Sequence, residues 1–379
     1  MNRRTMLGSM ALIGAAGSLA GRAAAAAPDV VGPNAPAVTI GGTGRLNLIT
    51  DVPGLKVGQA QDAGARTGVT VILADTPATA AVDVRGGGPA SRETDVLRPE
   101  NLVQQVDAIV LSGGSVYGLG SGDGITAWLG AQGKGFGFGP KVAGIPFSPI
   151  VPTVSLYDLA NGGNKEWGTE PPYRTLAVQA AESASSQFDL GTAGCGYGAK
   201  AGSLKGGVGS ASAVLSTGYT VGAIVGVNSA GSVVAPGGNT FWSAPYEIDG
   251  EFGGLGSSGL SAAGDEWGAA KPNPRAGENT TIALVATDVA LTRVECQRVA
   301  IMAQDGMARA IRPSHAPFDG DIVFCISTEK QQIPEGAMRQ FVVAQIGAAA
   351  ADVLARAIAR GVYHATNWDG VTGEAWSDL

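Results

Sequence analysis

Short apolar runs punctuated by glycine clusters set the rhythm of this chain from Leu46 onward. Thr67–Ala74 (TGVTVILA) and Ala80–Val84 (AAVDV) read as paired strands. Val106–Leu111 reads as a buried strand that runs into Gly113-Gly114-Ser115 and then a helix through Trp128. Tyr219–Val227 (YTVGAIVGV) is a further apolar strand. Gly253–Glu278 breaks the pattern with Gly, Ser, Pro, Asn and acids, and reads as an exposed loop of about 26 residues, a length usually kept for function. Order returns at Thr280–Ala286 (TTIALVA), a β-branched and apolar run suited to a strand buried on both faces. Thr292-Arg293-Val294-Glu295 has the spacing of a capping box and opens a helix to about Ile311. Asp321–Ser327 is another strand. Pro334 and Gly361 bracket an Ala-rich helix with Arg356 and Arg360 in its last turn. Mixed strands and helices without an internal repeat predict a layered α+β fold.

Composition narrows the class. Of 379 residues, 45% are hydrophobic and only 15% charged, against roughly 25% in an ordinary soluble domain. That excludes a disordered, charge-solvated chain and a coiled coil. The 59 glycines follow no Gly-X-Y period, which excludes collagen. Net charge is −7, and no basic run or aromatic-laced basic stripe offers a surface to nucleic acid. Three cysteines (Cys195, Cys296, Cys325) without a CxxC pair do not make a disulfide scaffold or a structural zinc site. With His315 and His364 as the whole histidine complement, a Ser-His-Asp triad or a His-based metal site has almost nothing to draw on. No GxxxxGK[ST], HExxH or GxSxG motif occurs, and the glycine-rich Gly194–Gly209 lacks Walker spacing.

The amino terminus has the grammar of an export signal. Arg3 and Arg4 precede an apolar stretch from Met6 to Ala20, which is followed by an Ala-rich end. The paired arginines suggest the twin-arginine route, and a stretch of about 15 residues is short for a membrane span. Residues 1–27 are therefore expected to be a leader, 28–44 a linker and 45–379 the body of a periplasmic protein.

One junction carries candidate chemistry. In Gly277-Glu278-Asn279-Thr280-Thr281-Ile282 a low-complexity loop meets a buried strand whose first residue bears a hydroxyl. If the Asn279–Thr280 bond breaks, Thr280 gains a free α-amine beside its hydroxyl. An α-amine has an unperturbed pKa of about 7.7–8, close to ideal for a general base at neutral pH. It can take the hydroxyl proton without any histidine.

The run GENTTIALVATDVAL followed by MAQDGMARAIRPSHAPFDGDIVF closely resembles the L-aminopeptidase/D-esterase family, which includes β-peptidyl aminopeptidases and the nylon-oligomer endohydrolase. The resemblance continues through LNLITDVPGLKVGQA, VDVRGGGPASRETDVLRPE, AIVLSGGSVYGL, PIVPTVSLYDL, GYGAKAGSLKGGVGSAS and VGAIVGVNSAG, covering roughly 45–376. It implies that 45–379 is a single catalytic domain, an αββα sandwich of the type shared with ornithine acetyltransferases, N-terminal-nucleophile-like. It implies self-cleavage between Asn279 and Thr280 into an α chain of about 28–279 and a β chain of 280–379. Thr280 would be the nucleophile, assisted by Asp319 and Asp321. Asn228 would face the oxyanion, Lys205 would line the pocket and Tyr157 would belong to the active site. The Asp/Asp pair leans toward the nylon-hydrolase-like branch, since many aminopeptidase members carry Ser/Glu there. The implied activity is hydrolysis of small peptides or amino-acid amides and oligomers through an acyl-enzyme. No metal or organic cofactor is implied, nor a nucleic-acid or membrane partner; the expected assembly is a homo-oligomer, a tetramer of αβ units. The rival readings are an acyltransferase of the ornithine acetyltransferase type and a non-catalytic binding protein on the same scaffold. Sequencing the amino terminus of the exported protein should place signal cleavage within Ala23–Ala27, leaving a chain that starts near residue 28; a retained Met1 would refute the leader.

Overall fold

The computed structural model describes residues 40–137, 139, 142–257, 268–271, 279–372 and 374–379. The leader, most of the linker and much of the 253–278 loop lie outside the described residues. Twelve strands are present among them: β1 (Ile40–Gly42), β2 (Leu55–Asp62), β3 (Thr67–Val84), β4 (Ala90–Arg92), β5 (Gln105–Ser112), β6 (Thr153–Ser155), β7 (Lys200–Ala201), β8 (Leu204–Lys205), β9 (Gly207–Leu215), β10 (Thr220–Asn228), β11 (Thr280–Val289) and β12 (Ile322–Gln331). The helices are α1 (Gly120–Ala131), α2 (Tyr173–Glu182), α3 (Arg293–Ala310) and α4 (Arg339–Tyr363).

Strand order is β1-β9-β10-β11-β12-β3-β5-β6-β4, with β2 also on β3 and β7-β8 a separate ribbon. The long β3 is the fold's hinge. Its first half pairs with β2 and β5; β5 continues past a register shift to Ala78 and Thr79, and from Thr79 onward β12 takes the place of β2. The expected pair of strands at Thr67–Ala74 and Ala80–Val84 is thus one strand of 18 residues. Asp75, Thr76 and Pro77 are exposed between the two apolar runs, and the chain there stays extended instead of turning back. β5 thus spans the junction while β2 gives way to β12, and the sheet folds over into two layers.

Burial follows from strand parity. In β11, Ile282, Leu284 and Ala286 face the apolar space between the sheet layers, with Ile224 of β10 and Phe324 of β12. Ala283, Val285 and Val289 face the opposite way, onto α3 and α4. A third core holds α1 and α2 against Val69, Val71, Ala108 and Val110 on the far layer. Helices, sheet, sheet and helices therefore stack as the expected α+β sandwich.

Two ends differ from the sequence reading. The capping box at Thr292 forms as expected, Glu295 N–H donating to the threonine hydroxyl and Thr292 N–H to the Glu295 carboxylate. α4, however, starts at Arg339, because Pro334 nucleates only a turn closed by Ala337 N–H. It also runs past Gly361, which is a close-approach residue: a Cβ there would lie 2.9 Å from the Gly209 nitrogen on β9.

α4 carries a buried cation into the core. Arg356, fully buried, pairs with Glu251 through two nitrogens at 2.5 and 2.9 Å and donates to Ser212 O and Asn47 Oδ1. Removing one partner of such a pair leaves a bare buried charge. Glu251→Ala should lower unfolding free energy by about 3–5 kcal/mol, read as a shift in denaturant midpoint; a shift under about 1 kcal/mol would mean that the guanidinium finds other partners.

Candidate active site

Thr280 is the first residue of β11 and is 3% exposed. Antiparallel pairing sets it directly opposite Asn228, so the two side chains stand on one face of the sheet. On the other side, a parallel bridge joins Asn279 to Asp319 just before β12 begins. Three strands thus converge on the Asn279–Thr280 peptide.

The carbonyl of that peptide is the best-furnished atom of the junction. The Thr280 hydroxyl donates to Asn279 O at 2.5 Å, and Gly320 N–H donates to the same oxygen at 2.9 Å. A Cβ on Gly320 would lie 2.8 Å from Thr280 Oγ1, so only glycine lets this amide come so near the hydroxyl.

Asp319 and Asp321, each 2% exposed, are splayed by Gly320 toward different donors. Asp319 accepts from Ala316 N–H at 3.1 Å and Ala230 N–H at 3.4 Å. Asp321 accepts from Thr281 N–H at 2.9 Å on one oxygen. Its other oxygen accepts from His315 N–H and faces His315 Nδ1, both at 2.9 Å. Among the described residues neither carboxylate bonds the Thr280 hydroxyl in the uncleaved chain. Burial, then the charge of Asp321, pushes Asp319 up to about 6, against the Ala316 and Ala230 amides and the charge of Lys271.

The Gly86-Gly87-Gly88 run crosses this segment. Gly86 N–H donates to Asp321 O and Gly88 N–H to Asp319 O, and a Cβ on Gly86 would lie 2.2 Å from Asp321 N. That triplet, His315 and Lys271 carry no role assigned from the sequence. The only signal was the unbroken glycine run and the proximity of His315 to Asp319.

Asn228 uses its amide on both sides. Nδ2 donates to Tyr157 O at 2.9 Å and Oδ1 accepts from Lys200 N–H at 2.9 Å. Tyr157 and Asn228 are thus brought together through a tyrosine carbonyl. Both line a pocket of about 170 Å³ with Asp158, Asn161, Lys200 and Lys271. The buried Asp158 anchors this wall, accepting from Thr67 Oγ1 at 2.6 Å and Gly114 N–H at 2.8 Å, and burial pushes it up to about 6.

Lys205 is fully buried. Its hydrogen bonds go to the carbonyls of Gly196, Tyr197, Ala199 and Gly206, with the Trp368 ring 4.6 Å away. Burial pulls its ammonium down to about 7, opposed by the charge of Glu374. It closes the loop that delivers Lys200 N–H to Asn228, and none of its hydrogen bonds reaches Thr280.

Comparison with known proteins gives this arrangement its class. A Burkholderia sp. beta-aminopeptidase superposes with a TM-score of 0.64 at 24% identity, over 90% of this chain and 95% of that one. The L-aminopeptidase D-Ala-esterase/amidase of Ochrobactrum anthropi, described as a variant of the Ntn hydrolase fold, gives 0.61 at 21% identity over 88% and 91%. An uncharacterized aminopeptidase of Mycobacterium bovis is 41% identical over 348 residues, 86% of this chain and 96% of the relative. A 6-aminohexanoate-oligomer endohydrolase of Paenarthrobacter ureafaciens is 29% identical over 301 residues, 77% of this chain and 78% of the relative. The fold is that of the Ntn-hydrolase-like aminopeptidases, and the protein is a peptide- or amide-bond hydrolase. It belongs to peptidase family S58, whose model matches residues 47–376.

The raised carboxyl of Asp319 has a thermodynamic sign. Its pKa rises from an ordinary 3.8 to about 6 on folding, so between those values the folded chain binds more protons than the unfolded one. Stability from this group therefore falls as pH rises from about 4 to about 6. Asp158 adds the same sign. In thermal melts across that window the parent protein should lose stability relative to Asp319→Asn as pH rises; parallel curves would show that Asp319 titrates normally.

Proposed function

We propose that this chain is a self-processed N-terminal-threonine hydrolase that cleaves amide bonds of small peptides or amino-acid oligomers. The observation that carries the reading is the Asn279 carbonyl, which accepts from the Thr280 hydroxyl at 2.5 Å and the Gly320 amide at 2.9 Å. A carbonyl so placed is polarised by an amide donor while a hydroxyl lies against it.

Processing would run in two steps. Thr280 Oγ attacks the Asn279 carbonyl carbon and gives up its proton; the carbon–nitrogen bond breaks and the nitrogen takes a proton, leaving an ester. Water then hydrolyses the ester to an Asn279 carboxylate and a free Thr280 hydroxyl. The Thr280 α-amine is now available. In turnover it accepts the hydroxyl proton as Oγ attacks a substrate amide, and returns it to the leaving amine. Water resolves the acyl-enzyme. The Asn228 amide stands on the same face as Thr280 and is the side-chain donor nearest in register for the developing oxyanion. The homologous aminopeptidases and oligomer hydrolases support the amide class of substrate. On this reading the protein is exported with its leader and works as a homo-oligomer of αβ units.

Thr280→Ala should leave one uncleaved polypeptide with no amidase activity, whereas Thr280→Ser should still process. Intact mass of the parent protein should show a β chain of residues 280–379. Full activity from a continuous chain would overturn the proposal.

A further inference from the structure

His315 sits in an unusual place for one of two histidines in the chain. Its backbone is left-handed, with φ of +57°. That conformation turns its own N–H and its ring toward the same carboxylate oxygen, Asp321 Oδ2, both at 2.9 Å. The second oxygen of Asp321 holds Thr281 N–H at 2.9 Å, one residue after the nucleophile. Asp321 is itself 2% exposed, while the imidazole is about one-fifth exposed, with its side chain at 22%. A carboxylate oxygen only accepts, so the contact makes Nδ1 the protonated ring nitrogen.

We infer that His315 is the positioning residue for Asp321: its Nδ1–H and backbone N–H lock one carboxylate oxygen so that the other is fixed on the amide of the nucleophile strand. The inference rests on the proposed amidase reading, in which Asp321 serves Thr280. It goes beyond that reading, because it assigns work to a side chain that bonds neither Thr280 nor Asp319. Orientation is the service required. Oδ1 replaces a strand partner for Thr281 N–H, so a rotation of the carboxylate would loosen the start of the β11 strand next to the reacting hydroxyl.

The left-handed backbone chooses the variants. Alanine would add strain at φ of +57°, so its effect would mix backbone and side chain. Glycine removes the ring without strain. Asparagine tolerates the left-handed region and offers an amide donor near the position of Nδ1. His315→Gly should keep the parent melting temperature within a few degrees, yet lower kcat on the order of 10²-fold with KM little changed. His315→Asn should recover most of that loss. Added imidazole should raise the activity of the glycine variant, since the ring is about one-fifth exposed and its site can be reached from solvent. A glycine variant as active as the parent would overturn the inference, and so would an asparagine variant as slow as the glycine one. Should the parent itself neither process nor hydrolyse amides, the amidase reading fails and not this assignment alone.

Discussion

The register of β11 between β10 and β12 is the constraint on which the site depends. Thr280 faces Asn228 only because Ile282 pairs with Gly226 on one side and with Ile322 on the other. A slip of one residue would turn the hydroxyl from the inter-sheet face to the helix face. Nothing in the loop before Thr280 needs to prevent that slip. The apolar residues behind it do, since Ile282, Leu284 and Ala286 fill one core while Ala283 and Val285 fill another of different shape. The Thr280 hydroxyl is aimed by hydrophobic packing along ten residues of strand.

Around that fixed strand the polar groups replace missing ladder bonds. Just ahead of β12 the sheet opens, and Thr281 N–H finds the Asp321 side chain. The carbonyls of Asp319 and Asp321 find the glycine run at 86–88. Asp319 and Asp321 would be costly to bury without partners, and theirs come from backbone amides of four separate segments, at residues 86–88, at Ala230, at Thr281 and at residues 315–316. Bringing two carboxylates into one buried corner has a consequence for their charge. Asp321 holds three donors, and Asp319 beside it moves toward its protonated form.

How much of this could be read from the chain depends on the range of the interaction. The strands at Val106, Tyr219 and Thr280 and the helix at Thr292 were legible, because local apolar periodicity and a capping box determine them. The hinge in β3 was not. Two runs separated by Asp-Thr-Pro-Ala-Thr look like paired strands, and only the exchange of β2 for β12, with β5 spanning the junction, keeps them in one strand. Thr280, Asn228 and the Asp319–Gly320–Asp321 turn could be named from sequence, and the structure gathers them at one peptide bond. The surroundings of Lys205 could not be named. The resemblance gives this lysine a place along the pocket but not its partners, and four carbonyls and an indole enclose it. The partners of Asp321 come from residues 6 and 40 positions away, and no local pattern records such contacts.

The scarcity of histidine and the tightness of the glycines then belong to one solution. On the proposed reading the base is the chain's own freed amino terminus, which leaves no need of an imidazole at the reacting oxygen, and the one imidazole nearby is bound to a carboxylate. What such a site needs is room for an amide donor within reach of the nucleophile. Gly320 supplies it, since any side chain there would press on Thr280 Oγ1. In the uncleaved chain that donor is held by Asn279 O. On the proposed reading, scission frees the Asn279 carboxylate to move and leaves the Gly320 N–H beside a hydroxyl that has just gained its base. The groups that polarise the first carbonyl would then face whichever carbonyl follows it, and one geometry would serve both processing and turnover.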